Sequence, residues 1–302
     1  MFYDVIVTGG GPAGLTAALY VKRAGKSVLV IEKNTYGGQI TWSPKVENFP
    51  GMPSVSGMEF ADRLVEQVMS HDVELELDEV ICIEAEEAGF KVDTAFGQVY
   101  KCRAVIAATG ARPRLLGIEG ETELIGRGIS FCAVCDGEFY KGKKVAVNGG
   151  GNTALQEAIY LSKMCEKVYL IHRRDSFRGD ISLVEQIKHR DNIEQIMNSV
   201  ITGLEGTEKL EGIILTGGRR LDAEALFVAV GHVPENGVIS GFTKLDNEGY
   251  ADIDERCTAP EAGIFVAGDC RKKEVYQLTT AVADGTAAAV EACRYIDSLQ
   301  SK

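Results

Sequence analysis

The stretch Ser130-Phe131-Cys132-Ala133-Val134-Cys135-Asp136-Gly137 holds two cysteines three apart, with an acid directly after the second. Three chemistries fit such a pair: a redox disulfide, half of a zinc site, or two unrelated core thiols. Structural zinc takes four ligands, usually as two such pairs. The other cysteines (Cys82, Cys102, Cys165, Cys257, Cys270 and Cys293) are scattered singly, and His172, His189 and His232 are isolated, so no metal site is expected. Free cysteine also packs as a small apolar residue. Beside nucleotide-binding βαβ units, however, Cys-x-x-Cys reads as a dithiol that cycles with a disulfide. The pair alone leaves these two readings open, and the elements around it must decide.

Residues 3–33 carry such a unit. Val5-Ile6-Val7 reads as a strand, Leu15 to Ala24 as a helix and Ser27 to Ile31 as a second strand ending at Glu32. Between the first strand and the helix lies Gly9-Gly10-Gly11-Pro12-Ala13-Gly14, a dinucleotide fingerprint in its required context. Gly9 permits the tight turn, Gly11 lets backbone approach a pyrophosphate, and Gly14 lets helix and strand pack closely. The helix N-terminus then faces the phosphates. Glu32 is placed to accept hydrogen bonds from a ribose.

The chain then repeats itself. A shift of 140 carries Val5 to Val145, Gly9 to Gly149, Gly11 to Gly151, Leu15 to Leu155 and Ile31 to Ile171. Two nucleotide domains of similar build follow. The second loop runs Gly149-Gly150-Gly151-Asn152-Thr153-Ala154, with Ala154 where the first has Gly14, a change the fingerprint tolerates. Glu32 gives way to His172-Arg173-Arg174, with Arg178 four residues on. An acid suits an unphosphorylated ribose, whereas arginines accommodate a 2′-phosphate. The first site therefore suits FAD or NAD and the second NADP. The bland alternative, a solvated basic face, fits less well with a position at the ribose end of a Rossmann strand.

Length and composition permit this. The 302 residues are 45% hydrophobic and 25% charged, enough for two ordinary domains with real cores. A net charge of −12 argues against a nucleic-acid surface. No apolar run approaches the length of a membrane span. Eight cysteines behind an N-terminus that enters a strand directly suggest a cytoplasmic, reducing setting, where a disulfide is more often catalytic than structural. An amphipathic helix is expected from Glu59 to Ser70 and an antiparallel meander across residues 73–105. Trp42 is expected to fill core. Ala104 to Gly110 and Gly263 to Asp269 read as buried strands, and Asp269 lies at a carboxyl end, where ligands bind in open α/β sheets. The closing helix, Gln277 to Leu299, is rich in small residues suited to close packing against another segment or a cofactor.

Together these motifs resemble the low-molecular-weight thioredoxin reductases over essentially the whole chain. The shared features are Gly9 to Gly14, Gly37-Gly38-Gln39, Asn48-Phe49-Pro50-Gly51, Ala108-Thr109-Gly110, Cys132 to Gly137, His172-Arg173-Arg174 with Arg178, and Ala267-Gly268-Asp269. The resemblance implies an α/β fold of two Rossmann-like domains, each a three-layer ββα arrangement. A discontinuous FAD domain would comprise residues 1–113 and 242–302, around an NADPH domain at 114–241. FAD would lie against Gly9, Gly11, Pro12, Ala13, Gly14, Glu32, Gly38, Gln39, Asn48, Thr109, Gly110, Asp269 and Gln277. NADPH would lie against Gly149, Gly151, Asn152, Thr153, Ala154, His172, Arg173, Arg174 and Arg178. By family pattern Cys135 faces the flavin, Cys132 attacks the thioredoxin disulfide, and Asp136 moves a proton. The resemblance also implies domain rotation on linkers near Pro113 and Gly241, and a homodimer.

Three departures stand out: Tyr276-Gln277 in place of an Arg-Gln pair, Asn148 in place of an aliphatic residue, and a short segment from Leu204 to Leu221. They keep open a ferredoxin-linked flavin thioredoxin reductase and, ranked lower, a flavin dithiol oxidase. A non-enzymatic nucleotide-binding module is disfavoured by two complete motifs plus a redox pair.

Overall fold

The computed structural model describes residues 1–43 and 45–300. Residues 113–232 form one compact unit, and the two flanking parts of the chain form the other. The first leg of the flanking unit runs β1 (Phe2–Thr8), α1 (Pro12–Arg23), β2 (Val28–Glu32), α2 (Gly57–Met69), β3 (Glu74–Leu77), β4 (Val80–Glu86), β5 (Gly89–Thr94) and β6 (Val99–Ala107). Pro12 opens α1, where its missing N–H costs nothing. Ser56 caps α2 by accepting the Glu59 N–H at 3.1 Å, and Phe60, Ala61 and Val68 form its buried stripe. Trp42 is 48% exposed rather than core, because Gly38–Trp42 form a short surface helical turn.

After β7 (Ala111–Pro113), the middle unit follows. It runs β8 (Ile129–Ser130), α3 (Ala133–Asp136), β9 (Lys144–Asn148), α4 (Asn152–Leu161), β10 (Lys167–Ile171), α5 (Ile181–Lys188) and β11 (Ile193–Ile196). Then come β12 (Ile201–Glu205), β13 (Gly212–Leu215), β14 (Arg220–Leu221), β15 (Ala225–Val228) and β16 (His232–Pro234). Its parallel sheet has the order β11-β10-β9-β15-β8, and β12-β13-β14 form a separate antiparallel sheet across residues 201–221, which takes in the short 204–221 segment. The chain returns through β17 (Ile264–Val266) and ends in α6 (Leu278–Gln300).

The flanking sheet has the order β3-β2-β1-β6-β5-β4. The meander expected over 73–105 is only partly antiparallel. β3 pairs parallel with β2, and β6 is a single nine-residue strand that serves both layers. One edge of β6 pairs with β1 along its length. On its other edge Val99–Cys102 pair antiparallel with β5, and Val105–Ala107 pair parallel with β17. Side-chain alternation along β1 sorts the layers. Val5 and Val7 face a core with Leu15, Ala18, Ala288 and Ile296 of the helices, while Ile6 faces Val92, Val105 and Val266 on the meander side. The small residues of α6 admit α1 closely: a Cβ on Gly285 would lie 2.2 Å from the Ala13 carbonyl oxygen.

The internal repeat is a repeat of register. Val5 pairs with Val28 and Val145 with Val168; Thr8 pairs with Ile31 and Asn148 with Ile171. The Gly9 N–H reaches the Ile31 carbonyl at 2.8 Å, as the Gly149 N–H reaches that of Ile171 at 3.0 Å. Asn148 is thus the counterpart of Thr8, a polar residue at the last strand position before each loop.

The return crossing falls earlier in the chain than the sequence suggests. Residues 233–241, expected with the middle segment, belong to the flanking unit. Ile239 is fully buried in its meander-side core, and Asn236 donates to the Gly249 and Cys270 carbonyls at 2.8 and 2.7 Å. One buried isoleucine and one buried amide decide the boundary, and neither signals its partner locally.

Candidate active site

In the flanking unit, Gly9 sits at φ +103, and a Cβ there would lie 2.3 Å from the Ala108 carbonyl oxygen. This closes the loop against the segment just after β6 that carries Thr109 and Gly110. Gly11 precedes α1 with extended backbone and no side-chain cap, and its own Cβ direction meets only Gly37 O at 3.9 Å. The result is a shallow cradle of backbone in front of a helix N-terminus, flanked by Pro12, Ala13 and Gly14. Gly38, at φ +60, closes the side of the cradle: a Cβ there would lie 3.3 Å from the Gly11 Cα.

Glu32 is buried, and both its oxygens are engaged: Oε2 accepts the Gly10 N–H at 2.6 Å and Oε1 the Asn34 N–H at 2.9 Å. These bonds fix the carboxylate at the cradle rim, where remaining lone pairs can take ribose hydroxyls. Gln39 donates to the Ala111 carbonyl. Asn48 and Gln277, remote in sequence, meet: Asn48 Nδ2 donates to Gln277 Oε1 at 3.2 Å. Asp269 follows Gly268, whose Cβ direction ends 2.9 Å from the Ala13 Cβ, so the Asp269 loop abuts the first turn of α1. A cradle this close to backbone fits a dinucleotide pyrophosphate.

The middle unit repeats the cradle. A Cβ on Gly149 would come within 2.4 Å of the Ala229 carbonyl oxygen, while Gly151 faces open space. Asn152 and Asp180 exchange two bonds, at 2.8 and 3.1 Å, and the Arg178 N–H reaches the Gly150 carbonyl at 2.7 Å. Ala154 is buried and Thr153 exposed in the first turn of α4. His172 takes the place of Glu32 differently. Its ring covers Gly150, where a Cβ would lie 2.3 Å from it, and packs beside Phe177 at 5.5 Å. Burial, reinforced by Arg178, Arg174 and Arg173, holds the imidazole below its ordinary range and hence neutral at pH 7. Arg173, Arg174 and Arg178 are exposed, and none of them ion-pairs with a carboxylate among the described residues.

Cys132 and Cys135 form a disulfide with Cα atoms 5.3 Å apart, spanning the short helix α3. Cys132 stands at its N-cap position, and its Sγ accepts the Cys135 N–H at 3.2 Å. Ser130 ties the motif together: its Oγ accepts the Cys132 N–H at 3.1 Å and its hydroxyl donates to Asp136 Oδ2 at 2.6 Å. The acid is therefore held in a bonded chain leading back to Cys132. The remaining thiols are different in kind. Burial pushes Cys102 and Cys257 up to about 12 and Cys165 up to about 11, which makes them poor nucleophiles.

Two site residues escape sequence reasoning, Ser130 and Glu157. Glu157 lies on the inward stripe of α4 with Ala154, Ala158 and Leu161, and an acid on such a stripe is the available signal. Its Oε1 accepts the Ala133 N–H at 3.1 Å, while Oε2 is sealed from solvent and has no partner among the described residues. Burial pushes its carboxyl from 4.5 up to about 7, against the lowering effect of the Ala133 bond. In the unfolded chain it ionises near 4.5, so stability is full below that pH, falls as pH rises to about 7, and is constant above. Glu157→Gln keeps the Ala133 acceptor and removes the penalty, on the order of 3 kcal/mol. Its melting temperature is expected to exceed the wild type by several degrees at pH 8 and to differ little at pH 5. Equal melts at pH 8 would contradict this account of the buried carboxyl.

No described helix is long and apolar enough to cross a membrane. Residues 3–285 match the pyridine nucleotide-disulphide oxidoreductase family. The chain is 39% identical to the thioredoxin reductase of Treponema pallidum, over 99% of each protein. It is 38% identical to the bifunctional thioredoxin reductase/thioredoxin of Mycobacterium leprae, over 97% of this chain and 66% of that one. Its fold superposes on the thioredoxin reductase of Streptococcus pyogenes with a TM-score of 0.93 at 36% identity, covering 98% and 99% of the two chains. With its paired glycine cradles and its Cys132–Cys135 disulfide, the chain belongs to the pyridine nucleotide-disulphide oxidoreductase family and sits among its thioredoxin reductases.

Proposed function

We propose that this chain is an NADPH-dependent thioredoxin-disulfide reductase, acting in the cytoplasm as a homodimer. The reading is carried above all by the Cys132–Cys135 disulfide, held at a capped turn and bonded through Ser130 to Asp136, in a chain with two register-matched dinucleotide cradles. The Glu32 cradle, with Gly38, Gln39, Asn48, Thr109, Gly110, Asp269 and Gln277, would hold FAD. The second cradle would hold NADPH, with Arg173, Arg174 and Arg178 offering cationic, bidentate donors to a 2′-phosphate. These cofactors supply the hydride chemistry, accepting two electrons from nicotinamide and passing them to a disulfide.

The chain's own steps are thiol exchange and proton transfer. Reduction opens Cys132–Cys135 to a dithiol. The Cys132 thiolate, stabilised where its Sγ faces the Cys135 N–H, attacks the thioredoxin disulfide and forms a mixed disulfide. One thioredoxin sulfur leaves as a thiolate. Cys135 then attacks Cys132 Sγ, which restores the enzyme disulfide and releases thioredoxin as a dithiol. Each cycle moves two electrons and takes up one proton beyond the hydride. Asp136, bonded to the Ser130 hydroxyl beside the pair, would hand protons to and from the sulfurs.

The test is anaerobic mixing of the FAD-loaded protein with NADPH, NADH and reduced ferredoxin in parallel. NADPH is expected to bleach the flavin within seconds and NADH far more slowly. Bleaching by ferredoxin alone would overturn the donor assignment and leave the exposed arginines without a ligand.

A further inference from the structure

The flanking unit contains a four-membered charge cluster, and three of its members, Arg271, Lys273 and Asp284, are buried and have no part in the steps above. Asp284, on α6, is buried and accepts four donors: the Gly268 N–H at 3.1 Å, Arg271 Nε and Nη2 at 2.9 Å each, and Lys273 Nζ at 2.9 Å. Burial opposes its ionisation, yet the bonds from Arg271 and Lys273 hold its carboxyl below the ordinary range. Lys273 has a second anionic partner, Asp269 Oδ1 at 3.2 Å. The Lys273 side chain is 8% exposed, against 39% for Asp269. Asp269 Oδ1 is sealed from solvent and takes no hydrogen bond among the described residues, so it meets Lys273 as an ion pair alone, one oxygen turned inward to the ammonium and the rest of the group turned outward. Two acids and two bases balance in charge. The outward side of Asp269 belongs to the loop that abuts the first turn of α1, at the carboxyl edge of the sheet.

We propose that Lys273 is a positioning residue for flavin binding: braced by Asp284, it holds Asp269 with one carboxylate oxygen inward and the other presented to a hydroxyl of the bound FAD. The inference rests on the FAD reading above. Without Lys273, Asp269 Oδ1 would face a buried space with no cation, and the group would turn out of the pose that accepts the hydroxyl. In a Lys273 variant Asp284 keeps three of its four donors, the two from Arg271 and the Gly268 N–H.

The test is a double-mutant cycle on the rate at which FAD leaves the loaded protein, followed by flavin retained on filtration. Asp269→Asn and Lys273→Met are each expected to speed release about 10-fold, the scale of one charge-assisted hydrogen bond. The double variant is expected to release no faster than D269N alone, because Lys273 acts through Asp269. A purely structural lysine would give losses that multiply. Wild-type retention in K273M, or multiplying losses, overturns the proposal. If K273M does not accumulate, Lys273→Gln runs the same cycle. A wild-type protein that takes up no FAD would instead sink the flavoprotein reading itself.

Discussion

Serine at either Cys132 or Cys135 is expected to abolish thioredoxin reduction, by at least about 10³-fold, while FAD stays bound. The magnitude follows from the exchange itself: two sulfurs must accept two electrons and return them, and a hydroxyl can do neither. The two variants should fail differently. Cys135→Ser keeps Cys132 at the N-cap of α3, where its Sγ faces the amide of residue 135. It can still attack thioredoxin, but nothing resolves the product, so a mixed disulfide should accumulate on a non-reducing gel. Cys132→Ser loses the attacking sulfur and should trap little. The glycine cradle of the flanking unit shares no residue with the pair, so the flavin content should be unchanged in both. Turnover surviving in both variants would rule out the mechanism.

The glycine cradles supply the second large effect, as a contrast within one motif. Gly9→Ala forces a side chain into a left-handed backbone and to within 2.3 Å of the carbonyl oxygen of Ala108, a buried residue just after β6. Neither can yield cheaply, and a loss of about 3 kcal/mol or more is expected, with the flavin lost as well. Gly11→Ala meets nothing closer than 3.9 Å and should melt almost as the wild type does, yet bind FAD poorly, because its methyl fills the space the pyrophosphate would take. The same split should appear between Gly149→Ala, with 2.4 Å to a carbonyl oxygen, and Gly151→Ala, with open space. Thermal melts combined with flavin content and NADPH binding separate the two kinds of loss. Equal melting of G9A and G11A would refute the division of roles.

Much of this was legible in the chain because it is local. A strand, a glycine loop and a helix announce themselves by apolar runs and by the residues a tight turn demands, and a copy 140 residues later doubles the signal. The disulfide is local too, since its partners lie one helical turn apart. What was not legible depends on distant partners. Nothing near Glu157 states that it reaches the amide after Cys132, and nothing near Asn48 announces Gln277. The fingerprint makes Glu32 a ribose ligand, and its bonds to the Gly10 and Asn34 amides show that it also holds the loop. Trp42 was expected inside because tryptophan usually is, whereas the surface turn that carries it leaves it half exposed. The return crossing was misplaced because glycine at 241 looks like a boundary, while the burial of Ile239 and Asn236 is set by strands that arrive before and after it.

The double duty of β6 has a bearing on how the protein is made. Its carboxyl half waits for β17, which follows more than 150 residues later. The middle unit is one unbroken span of chain and can close on itself as it is synthesised. The flanking unit cannot: until β17 and α6 emerge, the amides and carbonyls of Val105–Ala107 present an open strand edge, and the α1 surface around Ala13 lacks its cover. Once residue 232 has cleared the ribosome, the nascent chain carries a finished middle unit and only the first leg of the flanking one, and that interval is when it most needs protection from wrong pairing.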